Sequence, residues 1–240
     1  MKKAVKISAA LLGLLIVGLS WPAWKFYTEI QKARSDDPLV WEEAITKLEA
    51  HTRGKFGPGQ GVVFIGSSSI RLWNSLADDM FPLRVIQHGF GGAKLNDVVY
   101  YAERLVNAYQ PRAVVVFAGT NDIDPGASKS PEVLLASYQA FVGKVRASQP
   151  DLPIFYIGIT PSPRRWSVWP LARTTNRLIE TWSAANPNLH FIDTSDALLA
   201  IDGEPDGDYY IFDGLHLSKR GYRIWRGIIR QRLEEELGDF

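Results

Sequence analysis

The sequence predicts an α/β fold: a doubly wound sandwich with helices on both faces of a five-stranded parallel sheet. Three observations carry this expectation. Five short, nearly continuous apolar runs have the character of strands buried on both faces. Helical apolar spacing fills the stretches between them, and that alternation builds parallel βαβ units. At 240 residues, 46% hydrophobic and 22% charged, the chain has the size and composition of one large globular domain.

Taken in order, the first element is a helix. Asp37 suits its cap and Pro38 its first position, and Trp41, Ile45 and Leu48 then share one face. A turn-rich stretch over residues 54–61 leads into the first strand, residues 62–65. The other strands are expected at residues 83–87, 113–118, 153–159 and 189–192. Val98, Tyr101, Ala102 and Leu105 mark the helix after the second strand. Leu134, Tyr138, Phe141 and Val145 mark the next, with Ser130 as its cap and Pro131 following. Leu171, Thr175, Leu178 and Trp182 mark a further one. The last runs from about Ser218, with Tyr222, Trp225, Ile229, Leu233 and Leu237 on one face.

Composition excludes several classes. A net charge of +1, with basic and acidic residues interleaved, gives no footprint for nucleic acid, and no such partner is expected. The absence of cysteine rules out a disulfide framework, a thiolate nucleophile and a cysteine-ligated metal. No histidine or carboxylate cluster has metal-ligand spacing, so neither metal nor other cofactor is expected. Gly89 and Gly91 follow the second strand and lack full dinucleotide-binding spacing.

Residues 1–28 read as a signal-anchor or a signal peptide. Lys2, Lys3 and Lys6 precede 18 uncharged residues, Ile7 to Trp24. That length meets the lower end of a bilayer span and exceeds the usual apolar core of a cleaved signal. An anchor is therefore favoured, with Trp21, Trp24 and Tyr27 at the far interface and everything beyond outside the cytoplasm, periplasmic or extracellular. Gly18-Leu19-Ser20 leaves secretion after cleavage as the alternative. Residues 29–59 form a linker and the N-terminal helix, and residues 60–240 the main domain.

In open parallel sheets a ligand site lies beyond the carboxyl ends of the strands. Four polar segments are expected there. Gly66-Ser67-Ser68-Ser69 follows the first strand, Gly89-Phe90-Gly91-Gly92 the second and Gly119-Thr120-Asn121-Asp122 the third, while Asp213-Gly214-Leu215-His216 precedes the last helix. A serine hydroxyl becomes a nucleophile when a histidine takes its proton, and that histidine needs a carboxylate to set its tautomer. Aspartate three residues before histidine supplies both from one loop. Spacing alone leaves Ser67, Ser68 and Ser69 all open as the nucleophile.

These segments, in this order, resemble the four sequence blocks of the SGNH hydrolases, also called GDSL-type esterases and lipases. The resemblance runs from about residue 60 to about residue 237. It implies a flavodoxin-like sheet and a carboxylic ester hydrolase working through an acyl-enzyme. It further implies Ser68 as nucleophile, His216 as general base and Asp213 as its orienting carboxylate. Gly92 and Asn121 match the residues that complete an oxyanion hole with the N–H of Ser68. The chain departs from the family motif at Ser67, where an aspartate is usual.

His88 and His190 lack motif context and are expected to be structural; His51 is expected at a surface helix end. Residues 161–170 should border the cleft, where Arg164 and Trp166 are candidates to hold substrate, although packing of the tryptophans into the core is an equal alternative. With short loops and no long apolar lid, the expected substrate is a small acyl ester on a glycan or lipid, acetyl groups on envelope carbohydrate being favoured. A non-catalytic glycan- or lipid-binding protein, or an acyltransferase, are the alternatives on the same scaffold.

Overall fold

Five parallel strands alternate with helices in the computed structural model, which describes residue 28, residues 31–126 and residues 128–238. The expected export or anchor segment lies outside these residues except for Thr28. Among the described residues no helix is long and apolar enough to cross a membrane. The strands are β1 (Val62–Gly66), β2 (Val85–Gly89), β3 (Ala113–Phe117), β4 (Ile154–Ile157) and β5 (Leu189–Ile192). Their order across the sheet is β2-β1-β3-β4-β5, the flavodoxin-like arrangement. The order reverses between β1 and β3, so the crevice at their carboxyl ends is where a ligand belongs.

The helices are α1 (Glu42–Thr52), α2 (Ser68–Arg71), α3 (Leu76–Met80), α4 (Leu95–Leu105), α5 (Pro131–Arg146), α6 (Trp169–Ala184) and α7 (Lys219–Leu237). Strand alternation divides the core into two layers. Val63, Ile65, Val114, Val116, Ile154 and Tyr156 pack against α1, α4, α5 and α6. Val62, Phe64, Val115, Phe117, Phe155 and Ile157 point the other way, against α2, α3 and α7. Both faces are covered, which is why the strands read as unbroken apolar runs.

The stripe expected on α6 is rotated. Its buried positions are Trp169, Ala172, Thr175, Asn176, Ile179 and Ser183, while Leu171, Leu178 and Trp182 lie on the flank. A polar residue causes this: the Asn176 amide accepts from the N–H of Ile159 and donates to its carbonyl, both at 2.9 Å. It thereby satisfies backbone just beyond the end of β4 and draws its own side of the helix inward.

His88 is fully buried at the end of β2. Its Nδ1 donates to the Leu105 carbonyl at 2.7 Å, and Nε2 stands 3.1 Å from the Thr52 hydroxyl. Burial lowers its pKa to about 4. An unfolded chain takes up this proton near pH 6.5, whereas the folded one refuses it until about 4, so stability is lost as pH falls through that window. Relative to a His88→Gln variant, urea titrations of the native chain should show about 3 kcal/mol of extra loss between pH 7 and 4. Parallel pH profiles for the two proteins would contradict this account.

Candidate active site

At the end of β1 the backbone of Gly66 turns with φ 150°, and a side chain there would run into the Phe117 carbonyl of β3. Only glycine allows that close approach. The chain then enters α2: Ser67 is buried, its N–H donates to the Phe117 carbonyl at 2.9 Å, and Ser68 opens the helix. A first helical N–H has no intrahelical acceptor, so the one on Ser68 is available to an anion in the cleft.

The partner loop arrives from the other end of the sequence. Residues 210–217 form a small hairpin, closed by an antiparallel bridge between Tyr210 and Leu217 and by an Ile211 N–H to His216 carbonyl bond of 2.9 Å. Two contacts fix it to the body, and a third ties the helix that follows it to α2. The Tyr210 hydroxyl donates to the Pro161 carbonyl, the Arg164 N–H donates to the Gly214 carbonyl at 2.9 Å, and the Tyr222 hydroxyl of α7 donates to the Ser69 carbonyl at 2.8 Å.

Across this junction His216 Nε2 stands 2.8 Å from Ser68 Oγ, although the two lie 148 residues apart. Ser68, rather than Ser67 or Ser69, therefore meets the imidazole. His216 Nδ1 donates to Asp213 Oδ2 at 2.6 Å. The other carboxylate oxygen accepts the N–H groups of Leu215 at 2.9 Å and His216 at 3.0 Å. Partial burial pushes the Asp213 carboxyl up, but these hydrogen bonds from His216 and Leu215 outweigh it and hold the pKa below its ordinary value. Asp213 is thus an anion that keeps the Nδ1 proton in place, leaving the Nε2 lone pair toward the hydroxyl.

The second and third segments meet nearby, with Asn121 sharing the cleft lining with Ser68. The Asn121 amide donates to the Ala93 carbonyl at 3.0 Å, and a side chain at Gly92 would come within 3.9 Å of that amide nitrogen. The Gly92 backbone and the Asn121 side chain are therefore neighbours. Two buried carboxylates brace them, and sequence reasoning missed both. Asp122 accepts the Leu95 N–H and the Lys129 ammonium, each at 2.9 Å. Asp97 accepts the Lys94 N–H at 2.8 Å and the Trp41 indole N–H at 3.2 Å. Burial raises the Asp97 pKa to about 6 and pushes Asp122 up as well. The available signals were Asp122 directly after Asn121 and Asp97 three residues after Lys94, where it closes a capping box on α4.

The resulting cleft is open to solvent and is lined by Ser67, Ser68, Thr120, Asn121, Thr160 and His216 among others. A shallow recess shares Thr120 and Thr160 with it and is walled by Ile123, Ile159, Val168 and Trp169. Arg164 is exposed and meets the hairpin through its backbone; Trp166 stacks on Trp169, with ring centroids 6.2 Å apart, and packs against the core. Neither side chain lines the cleft. Chemically, the site holds a hydroxyl, a base and an orienting carboxylate in one hydrogen-bonded line, with amide donors to one side, which is the equipment for acyl transfer.

No curated protein matches the chain. Several solved structures share its fold. A GDSL-like lipase from Bacteroides thetaiotaomicron aligns with a TM-score of 0.66 at 20% identity, covering 79% of this chain and 97% of that one. A carbohydrate esterase family 3 structure from Talaromyces cellulolyticus aligns at 0.61 and 18%, covering 75% and 99%. A catalytic mutant of an acetylxylan esterase from Geobacillus stearothermophilus aligns at 0.57 and 17%, covering 75% and 96%. At such identities these likenesses speak for the fold. The sequence itself is matched over residues 57–224 by the model of the GDSL-like lipase/acylhydrolase family, and the chain belongs to that family.

Proposed function

We propose that the protein is a serine esterase that removes small acyl groups through an acyl-enzyme, held at the membrane by its N-terminal segment with the catalytic domain outside the cytoplasm. The observation that carries the chemistry is the unbroken line Ser68–His216–Asp213, with contacts of 2.8 and 2.6 Å. In this reading His216 takes the Ser68 proton as Oγ attacks the ester carbonyl, and then returns it to the leaving alcohol. Asp213 stabilises the imidazolium between these steps. Water, activated by the same histidine, releases the acid. The N–H groups of Ser68 and Gly92 and the Asn121 amide face the developing oxyanion.

A small acyl group fits the modest cleft and its short apolar recess, and sugar-linked acetyl esters are the favoured substrates. Fold neighbours named as a carbohydrate esterase and an acetylxylan esterase agree with that choice. The placement outside the cytoplasm rests on Lys2, Lys3 and Lys6 before the 18-residue uncharged run. Purified protein assayed on p-nitrophenyl esters from acetyl to octanoyl should turn over the shortest fastest, and no Ser68-dependent turnover on any of them would refute the proposal. Asn121→Ala removes one oxyanion donor, and an expected loss of about 10²- to 10³-fold in kcat with little change in KM can be read from the same assay.

A further inference from the structure

The chain segment that follows the proposed anchor is seated on the active site. Ala33 packs onto Gly92 so closely that a side chain at Gly92 would overlap it. The Lys94 ammonium, almost buried, donates to the carbonyl of Arg34 at 3.3 Å, to that of Ser35 at 2.9 Å and to the Asp36 carboxylate at 2.9 Å. Lys129 adds a second ion pair to Asp36 at 3.3 Å. Residues 33–36 are thus clamped to the loop that carries Gly92. Between Trp24, where the apolar run ends, and Gln31 the chain advances seven residues. That span reaches about 10 Å if helical and about 25 Å if extended. The catalytic edge of the sheet cannot then lie far from the bilayer.

The same edge carries exposed apolar side chains. Phe212 at the tip of the 210–217 hairpin is 101% exposed, and Ile211 beside it 40%; the next residue is Asp213. Ile201, 109% exposed, tips the loop closed by the Leu199–Pro205 bridge, which follows β5 at the same edge. Arg164, also exposed, flanks the hairpin at Gly214. An aromatic and two aliphatic side chains in water, with a cation next to them, suit the headgroup region of a membrane.

We infer that the catalytic edge docks on the outer leaflet, with Ile211 and Phe212 entering the headgroup region, and that the ester reaches Ser68 from a molecule held in the bilayer. The occupant of this surface is the membrane to which the chain is anchored, and the substrate class becomes an acyl ester carried by a bilayer-held amphiphile. This inference rests on the proposed membrane-anchored esterase.

The chain has no cysteine, so Phe212→Cys and Asp151→Cys each create a unique labelling site. Asp151 is exposed just before β4, at the opposite edge of the sheet. Full-length variants carrying an environment-sensitive nitrobenzoxadiazole label are reconstituted into phosphatidylcholine–phosphatidylglycerol vesicles containing doxyl-labelled lipid. The label at position 212 should be blue-shifted and strongly quenched, and the label at 151 should be neither. Equal quenching at the two positions would overturn docking. Extraction of the protein from the vesicles by alkaline carbonate would overturn the anchor as well. Fluorophosphonate capture on the same samples reports separately on the esterase reading. In an activity arm, Phe212→Ser should lower the ratio of vesicle-held to soluble ester turnover by about tenfold, the scale of one aromatic side chain leaving an apolar environment. An unchanged ratio would contradict delivery from the membrane.

Discussion

Replacing Ser68 by alanine should lower kcat/KM on a short-chain ester by about 10⁴- to 10⁶-fold, to the residual rate that an oxyanion hole and substrate binding sustain alone. The reason lies in the geometry: Ser68 Oγ is the hydroxyl 2.8 Å from His216 Nε2, while Ser67 is buried with its backbone committed to β3. Fold stability should be nearly untouched, because Ser68 is only partly buried and α2 opens without a side-chain cap. Thermal unfolding alongside steady-state kinetics separates the two effects. A variant that keeps more than a few per cent of activity would move the nucleophile elsewhere.

Asp213→Asn should cost about 10⁴-fold in kcat. The amide oxygen can still accept the N–H groups of Leu215 and His216, so the hairpin keeps its shape. Its NH₂ then faces His216 Nδ1 and forces the proton onto Nε2, the atom that must accept from Ser68. Because the Asp213 carboxyl is held below its ordinary value, the native enzyme keeps this carboxylate charged down to the acid side of that value. An Asp213→Asn enzyme with near-native kcat and an unchanged pH profile would remove Asp213 from the mechanism.

Legibility differed by the kind of information each feature carries. The strands could be read because burial on both faces leaves runs such as residues 62–65 and 113–118 wholly apolar. The four polar segments could be read because acyl transfer needs particular side chains, and a parallel sheet delivers strand-end loops to one edge. Other features depend on contacts that no local pattern encodes. Asn176 turned α6 by bonding backbone at Ile159, 17 residues away. Lys94 and Asp36 meet across 58 residues, and Trp41 and Asp97 across 56. Helices α2 and α3, of four and five residues, are too short to show a period. Trp166, read as either a substrate contact or a core residue, stacks on Trp169. His88 and His190 act as packing and hydrogen-bonding residues, with partners in Leu105 and Glu236.

The site has one central requirement, that Ser68 be made nucleophilic by His216. Incubating the full-length protein with a fluorophosphonate and mapping the adduct by peptide mass spectrometry tests it directly, since stoichiometric capture needs an activated serine. The predicted result is a single phosphonylated residue, Ser68, absent from His216→Ala and from heat-unfolded protein. An unmodified intact mass, or an adduct on Ser67 or Ser69, would contradict it.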